Sequence, residues 1–269
     1  NGAGIPPEEL PLAFAAHATS KISRDEDLFA VETMGFRGEA LASIGSVSLA
    51  RIVSRTQESD SAHEITNRGG EISPVRPVAG DRGTTIEIRD LFFNVPARRK
   101  FLKGSATEAG HVADAITRVA LARPEVSFKL VSEGRTSLDL PVSDARSRWL
   151  EAWPDAIRES ALDLDRRDGQ IHIRGVIGLP ELAQPHSRHQ HVLVNGRWVR
   201  DKFVGHALKE AYRGLTEPGR NPAAVLSIEL PSDALDVNVH PTKSEVRFRD
   251  SPRIHGLVLS SIREVLLGN

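Results

Sequence analysis

The sequence contains no cysteine, no long apolar run and almost no net charge, and each absence excludes a class of protein. Without cysteine there is no disulfide and no Cys-ligated metal site. No stretch approaches the ~18 consecutive apolar residues of a membrane helix, and no charged-then-apolar leader is visible. These absences predict a cytoplasmic protein. The formal net charge of −1 excludes a whole-chain attraction to nucleic acid, so any DNA contact must come from a local patch.

Composition and patterning predict a globular α/β protein of two domains. The 269 residues are 39% hydrophobic and 26% charged, which is enough apolar material for a core. Strands mixed with fewer helices predict two α/β sandwiches, not a doubly wound sheet. The polar stretch 132–148 places the boundary near 142, giving domains 1–142 and 143–269. We predict helices near 5–10, 39–44, 107–122 and 202–212, and strands near 47–53, 83–89, 126–130, 171–176, 191–194, 225–230 and 246–248.

Two glycine-rich turns, Asn1–Ile5 and Gly35–Gly38, each precede a helix-like stretch. Glycines remove the Cβ atoms that would block a phosphate, and a helix start offers free N–H groups and a positive dipole end. Arg37 adds a charge-assisted donor. The spacing is neither that of a P-loop nor that of a Rossmann fold, so an ordinary loop-to-helix turn remains an alternative.

Three further polar segments carry two interpretations each. The hydroxyls and ammonium of 19–21 suit a nucleotide, and equally a helix C-terminus. Lys243 lies on a loop just beyond a strand that ends at Pro241, and a rigid strand end can position a catalytic cation. The alternative is a solvated lysine, which is the usual state of this residue. The basic run 98–103 suits backbone phosphate or a solvated face anchored by Phe101 and Leu102.

Several long segments closely resemble the N-terminal ATPase region of the MutL-type DNA mismatch-repair family. The match runs from residue 1 to about residue 249. It implies a Bergerat-type GHKL ATPase sandwich followed by a second α/β domain like that of gyrase B. The wider GHKL superfamily shares only the shorter glycine elements. The matching segments are NGAGI, HATSK, GFRGEALASI, GTTIEIRDLFFNVPARRKFL, VLVNGRWVRD and DVNVHPTKSEVRF.

The resemblance also implies a site for ATP and Mg²⁺ between the glycine loops. Gly2 and Gly4 would lie near the adenine, and Thr84 would assist its recognition. Lys243 would reach the γ-phosphate from the second domain, where it supplies charge and couples nucleotide state to domain orientation. The remaining nucleotide contacts implied by position are Thr19, Ser20, Lys21, Gly35, Arg37, Gly38, Glu39, Ala40, Leu41 and Asn238.

In the family, ATP binding drives dimerisation around a groove that holds DNA, and Lys202 matches a basic position facing that groove. Implied partners are therefore DNA, a second copy of the chain, a mismatch-recognition protein of the MutS type and a downstream nuclease or helicase. The family's water-activating Glu, its Mg²⁺-ligating Asn and an adenine-pairing Asp would all precede Asn1.

Without the Glu, one catalytic contribution of roughly 10²–10⁴ in rate is lost. We therefore expect this chain to bind ATP weakly and not to hydrolyse it, whereas the full-length protein does both. The alternatives are a non-enzymatic DNA-binding or matchmaking module and another GHKL ATPase of the topoisomerase type.

Overall fold

The computed structural model describes residues 2–16, 38–236 and 246–268. Contacts divide the chain into two compact units, Asn1–Gly104 and Ser105–Asn269. This division differs from the boundary near 142, and the stretch 132–148 is not a linker, because it contains a strand and most of a helix. The assignment of 1–142 and 143–269 as domains stays a prediction. No helix in the described ranges is long and apolar enough to cross a membrane.

Unit 1 is built on an antiparallel sheet of order β3-β2-β1-β5, with β4 also paired to β2. The central strand β1 (Leu49–Arg55) places Ile52 opposite Ile65 on one side and Ile86 on the other. The predicted strand at 83–89 is confirmed as β5 (Gly83–Arg89). The other elements of unit 1 are α1 (Ala40–Gly45), β2 (Ala62–Arg68), β3 (Glu71–Ile72), β4 (Arg76–Val78) and α2 (Pro96–Arg99).

The helix predicted near 5–10 is instead a short 3₁₀ helix, Leu10–Phe14. Pro11 has no N–H to donate, which disfavours a longer α-helix there. Leu10 and Phe14 nevertheless form the buried face expected of them and pack with Ile52 of β1. This packing creates the core of unit 1.

Glu64 is a buried carboxylate that ties three strands of unit 1 together. Arg51 of β1 donates from Nε at 2.6 Å, and Arg76 of β4 donates from Nε at 2.6 Å. Burial raises the pKa of Glu64, but hydrogen bonds from Arg76 and Arg51 outweigh it, so its pKa lies below the ordinary value. The carboxylate therefore stays ionised and paired inside the sheet.

Unit 2 is built on a five-stranded sheet of order β11-β10-β12-β9-β8, in which only β10 and β12 are parallel. Helix α3 packs against β11, and α6 packs against α7. The strands are β6 (Phe128–Ser132), β7 (Arg135–Leu140), β8 (Leu162–Asp168), β9 (Ile171–Ile177), β10 (Gln190–Val194), β11 (Arg197–Val199), β12 (Ala224–Glu229), β13 (Leu235–Asp236) and β14 (Arg247–Phe248), and the helices are α3 (Ser105–Ala122), α4 (Ala145–Leu150), α5 (Asp155–Arg158), α6 (Lys202–Ala211) and α7 (Ser251–Leu267).

Strand β9 is buried on both faces, so its side chains belong to two apolar clusters, one on each side of the sheet. Gly175 lies at its centre, where a Cβ would stand 2.2 Å from the carbonyl oxygen of Val225 on β12. Only glycine allows this close approach of the two strands. Tyr212 closes one end by donating its hydroxyl to the Gly178 carbonyl at 2.6 Å.

Arg148 on α4 is a fully buried cation, with 0% of its surface exposed. Its Nε lies 3.2 Å from Glu151 Oε2, an ion-pair contact. The two terminal nitrogens donate to five carbonyl oxygens at the end of α3 and around the β6–β7 hairpin. A buried charge is tolerated only when it is paired and hydrogen-bonded in this way. The acceptors are the carbonyls of Ala120, Arg123, Pro124, Val126 and Pro141.

Candidate functional site

The start of the chain is held against β1 and β5 by a small polar cluster, which we call the Ser54 cluster (Gly4, Ile5, Ser54, Thr84). Gly4 has φ +81°, and a Cβ there would lie 2.3 Å from the Arg55 carbonyl oxygen, so glycine is required. Ile5 N–H donates to Ser54 Oγ at 2.7 Å. Ser54 Oγ in turn lies 2.8 Å from Thr84 Oγ1.

Thr84 is the exposed member of the Ser54 cluster, whereas Ser54 is buried. Each hydroxyl can donate one hydrogen bond and accept two. The hydrogen bond with Ser54 fixes the position of Thr84 Oγ1. Thr84 Oγ1 can still form a further hydrogen bond on its solvent-exposed side. Gly4 and Thr84 thus belong to one cluster, which is joined by Ser54, a residue that sequence reasoning missed.

The described part of the second glycine turn leads directly into α1. Gly38 has φ +61°, Glu39 is the N-cap residue, and Ala40 begins the helix. Leu41 packs against the core of unit 1 beside Leu10 and Ile52. The predicted loop-to-helix transition is therefore present at this position.

The remaining residues assigned to the nucleotide by resemblance are Gly2, which the structure describes, and seven that lie outside the described ranges. Gly2 is exposed, with open space where a Cβ would stand. The others lie outside the described residues: Thr19, Ser20, Lys21, Gly35, Arg37, Asn238 and Lys243.

A second candidate site is a basic cavity of about 960 Å³ in unit 2, formed by α3, β10, β11 and the start of α6. Lys202, which the sequence singled out, lines it. Four cationic and two anionic side chains line the cavity, so the net charge of its lining is positive. The cations are Arg118, Arg188, Arg200 and Lys202, and the anions are Asp114 and Asp201.

Trp198 forms an aromatic wall of the basic cavity between two guanidinium groups. The Arg118 guanidinium carbon lies 4.3 Å from the ring centroid, and that of Arg200 lies 5.7 Å from it. Trp198 Nε1–H donates to His191 Nδ1 at 3.3 Å. Burial, followed by the charge of Arg118, lowers the pKa of His191 to about 4. His191 is therefore neutral near pH 7 and serves as an acceptor.

Asp201 positions Lys202 at the rim of the basic cavity. Its side chain caps α6 by accepting from Val204 N–H at 2.8 Å. Burial raises the pKa of Asp201, and backbone hydrogen bonds from Val204 and Phe203 act against that rise. Lys202 is the first residue of α6 and is exposed, so its ammonium is available to an anion.

Sequence reasoning missed the three arginines and the tryptophan of the basic cavity. A signal for two of these four residues was present in Trp198-Val199-Arg200, where an aromatic residue on β11 stands two positions before a cation. The other basic run, 98–103, begins in the last two residues of the short helix α2. Its supposed apolar anchor is wrong for Phe101, whose surface is 81% exposed.

Comparison with known proteins identifies the family. Residues 150–267 match the family model described as DNA mismatch repair protein, C-terminal domain. The Aquifex aeolicus MutL ATPase domain complexed with ADP is 30% identical with a TM-score of 0.62, over 96% of this chain and 82% of that chain. The chain belongs to the MutL family of DNA mismatch repair proteins.

The relationship to MutL extends over almost the whole chain. The MutL protein of Thiobacillus denitrificans (strain ATCC 25259 / T1) is 47% identical over 266 residues, which are 99% of this chain and 44% of that protein. The chain spans between 40% and 46% of the length of the curated MutL relatives that it matches. The DNA gyrase B subunit of Myxococcus xanthus shares the fold alone, with a TM-score of 0.50 and 13% identity over 91% of this chain and 78% of that one. The predicted mixed α/β, GHKL-type fold is confirmed.

Proposed function

We propose that the whole MutL protein binds and hydrolyses ATP and uses the nucleotide to switch a dimeric clamp on DNA during mismatch repair. Likeness to a MutL ATPase domain complexed with ADP is the observation that carries this proposal. A topoisomerase-type GHKL ATPase is not favoured, because the relatives that share 43–47% of their residues with this chain are MutL proteins.

The described residues fit the adenine end of a nucleotide. In the Ser54 cluster, an exposed hydroxyl is fixed by a buried one, beside backbone that must be glycine. A fixed hydroxyl can donate to or accept from a nucleobase without first losing rotamer freedom. We assign adenine recognition to Thr84, with Gly2 and Gly4 allowing close approach. We propose Thr19, Ser20, Lys21, Gly35, Arg37, Gly38, Glu39, Ala40, Leu41, Asn238 and Lys243 as the remaining nucleotide contacts.

Replacing Thr84 by Val in the whole MutL protein tests this assignment. Valine keeps the branched shape but removes the hydroxyl, so we expect the Kd for ATP to rise by roughly threefold to tenfold. The melting temperature should fall only slightly, because Ser54 Oγ keeps its contacts with Ile5 N–H and the Gly83 carbonyl. Thr85→Val is the matched control, since Thr85 is also exposed on β5 but points to the other face of the sheet. Equal ATP affinity in the two variants would refute the role of Thr84.

We propose that hydrolysis requires residues beyond these 269. Mg²⁺ would supply charge neutralisation at the phosphates. The Glu and Asn that the resemblance implies for water activation and Mg²⁺ binding are not among the described residues. We expect the isolated chain to show no Mg²⁺-dependent ATP turnover. Turnover by the isolated chain that Lys243→Ala abolishes would contradict this expectation, because it would show a complete catalytic site.

We also propose that the basic cavity binds DNA backbone phosphates. Lys202 and three arginines supply the positive charge that attracts phosphate. Because the whole chain carries a net charge of −1, this local concentration is what would direct DNA to unit 2. Homodimerisation on ATP binding, and contacts with a MutS-type mismatch-recognition protein and a downstream nuclease or helicase, belong to the same proposal for the whole protein.

A further inference from the structure

Two histidines and a glutamate meet on the surface where α6 and α7 pack together. His206 and Glu210 lie one turn apart on the same face of α6, and His255 lies on α7. We call this group the α6–α7 triad. Within 2–16, 38–236 and 246–268, it is the one group of three or more His, Asp or Glu residues whose ligand atoms all lie within 4.8 Å of one another.

Three atoms of the α6–α7 triad, one from each residue, lie close enough together to contact a single ion. His206 Nδ1 and His255 Nε2 are 3.0 Å apart, and Glu210 Oε2 lies 3.7 Å from the first and 3.5 Å from the second. Metal–ligand bonds of about 2.0–2.1 Å in tetrahedral geometry place ligand atoms about 3.3 Å apart. The three separations bracket that value, so one ion can contact all three atoms after small side-chain adjustments.

A histidine pair alone does not account for the position of Glu210. One hydrogen bond between the two imidazoles satisfies the short contact, but Oε2 then lies beyond an ordinary hydrogen-bond distance from both rings. A bound cation would satisfy all three lone pairs at once. The rings also lie roughly parallel, with centroids 5.2 Å apart and an interplanar angle of 28°.

Packing below the triad holds its two helices in register. Ala207 and Leu208 of α6 share an apolar cluster with Ile254 and Val258 of α7. Arg263 Nη2 donates to the Glu210 carbonyl oxygen at 3.2 Å, which adds a polar link between the helices. The backbone that carries the three ligands is therefore fixed before any ion arrives, which lowers the cost of binding.

We propose that the α6–α7 triad binds one divalent transition-metal ion of the Zn²⁺ type. Two imidazole nitrogens and one carboxylate oxygen suit Zn²⁺, Co²⁺ or Ni²⁺, whereas Mg²⁺ prefers oxygen ligands alone. The fourth position faces solvent, because His206 has 62% of its side chain exposed. The ion would cross-link α6 to α7, and this role is independent of ATP hydrolysis.

Calorimetric titration of the purified, chelator-treated 269-residue chain with ZnCl₂ tests the proposal. We expect one saturable site per chain, a melting temperature that rises with Zn²⁺, and no competition from a hundredfold excess of Mg²⁺. Co²⁺ should give the visible absorption of a tetrahedral complex. His206→Ala, Glu210→Gln and His255→Ala should each raise the Kd for Zn²⁺ about tenfold or more.

His186→Ala is the matched control. His186 belongs to a second histidine pair with the same 5.2 Å ring separation, but no carboxylate completes a triad there among the described residues. Circular dichroism without metal checks that each variant is folded, and Glu210→Gln changes shape least. Absence of saturable binding would overturn the proposal. So would affinity that the triad variants leave unchanged or that His186→Ala lowers equally.

Discussion

His191 is buried near the Arg118 guanidinium, and the titration of His191 makes the stability of unit 2 depend on pH. Its pKa falls from 6.5 to about 4 on folding, because burial, and then the charge of Arg118, disfavour the imidazolium. The unfolded chain therefore binds more protons between pH 4 and 6.5, and the free energy of unfolding falls as pH drops through that window. The full effect is about 3 kcal/mol.

Replacing His191 by Gln should remove this part of the pH dependence. Glutamine cannot titrate but keeps an acceptor for Trp198 Nε1–H. Urea unfolding at several pH values between 4 and 7 measures the effect as a flatter stability profile in the variant. His111→Gln on the exposed surface of α3 is the control. A profile for His191→Gln that parallels the unaltered chain would show that other groups cause the pH dependence.

Sequence reasoning at the residue scale found functional residue types but not their burial. The resemblance singled out Gly4 and Thr84, but no sequence pattern pointed to Ser54, the strand residue that binds both Ile5 N–H and Thr84 Oγ1. Arg148 sits in a polar stretch that we interpreted as a domain boundary, but it is fully buried. The carbonyls that make its burial tolerable come from residues up to 28 positions away, so no local pattern reveals them.

Helix α6 offers a direct test of DNA binding by the basic cavity, because it carries two exposed lysines in different places. Lys202 lines the cavity, whereas Lys209 lies in the last turn of the helix and does not line it. Lys202→Ala should weaken binding to duplex DNA and lower the salt slope by about 0.9 for each phosphate that the variant no longer neutralises. Fluorescence anisotropy at several salt concentrations measures both quantities.

Lys209→Ala is the appropriate comparison, since it changes the net charge by the same amount. If the two variants bind DNA equally weakly, the effect is one of overall charge and the basic cavity has no special role. A weakening confined to Lys202→Ala supports phosphate binding at the cavity.

Elements with strong periodicity were predictable, and elements interrupted by small polar residues were not. β5 alternates cleanly and has the predicted limits, and the helix predicted at 202–212 is confirmed as α6. We did not predict α7, whose buried stripe of Ile254, Val258 and Ile262 also includes a serine, Ser261. Its start was nevertheless signalled by Asp250 as the N-cap and a proline in the first turn. The pairing of α6 with α7, and hence the α6–α7 triad, depends on packing alone.

On the scale of the whole molecule, two proposed divisions of the chain predict different autonomous fragments. A fragment 105–269 retains both apolar clusters of unit 2 and all five carbonyls that bind Arg148. A fragment 143–269 lacks Leu121 and every one of those carbonyls. Without α3, the apolar residues that share a cluster with Leu121 would be exposed to water, and Arg148 would keep only its contact with Glu151. We therefore expect 105–269 to unfold cooperatively and 143–269 to be much less stable or unfolded.

Thermal unfolding followed by circular dichroism decides between the two divisions. Comparable melting temperatures for 105–269 and 143–269 would support the boundary near 142 and count against the division after Gly104.

Helix α6 connects the basic cavity of unit 2 to the α6–α7 triad. Its ten residues carry Lys202 at the rim of the basic cavity and, one turn later, His206 of the α6–α7 triad. An ion bound at the triad and a phosphate bound at the cavity would therefore both contact helix α6. Thermodynamic linkage then requires reciprocity: whatever factor the ion applies to DNA affinity, DNA must apply to the affinity for the ion.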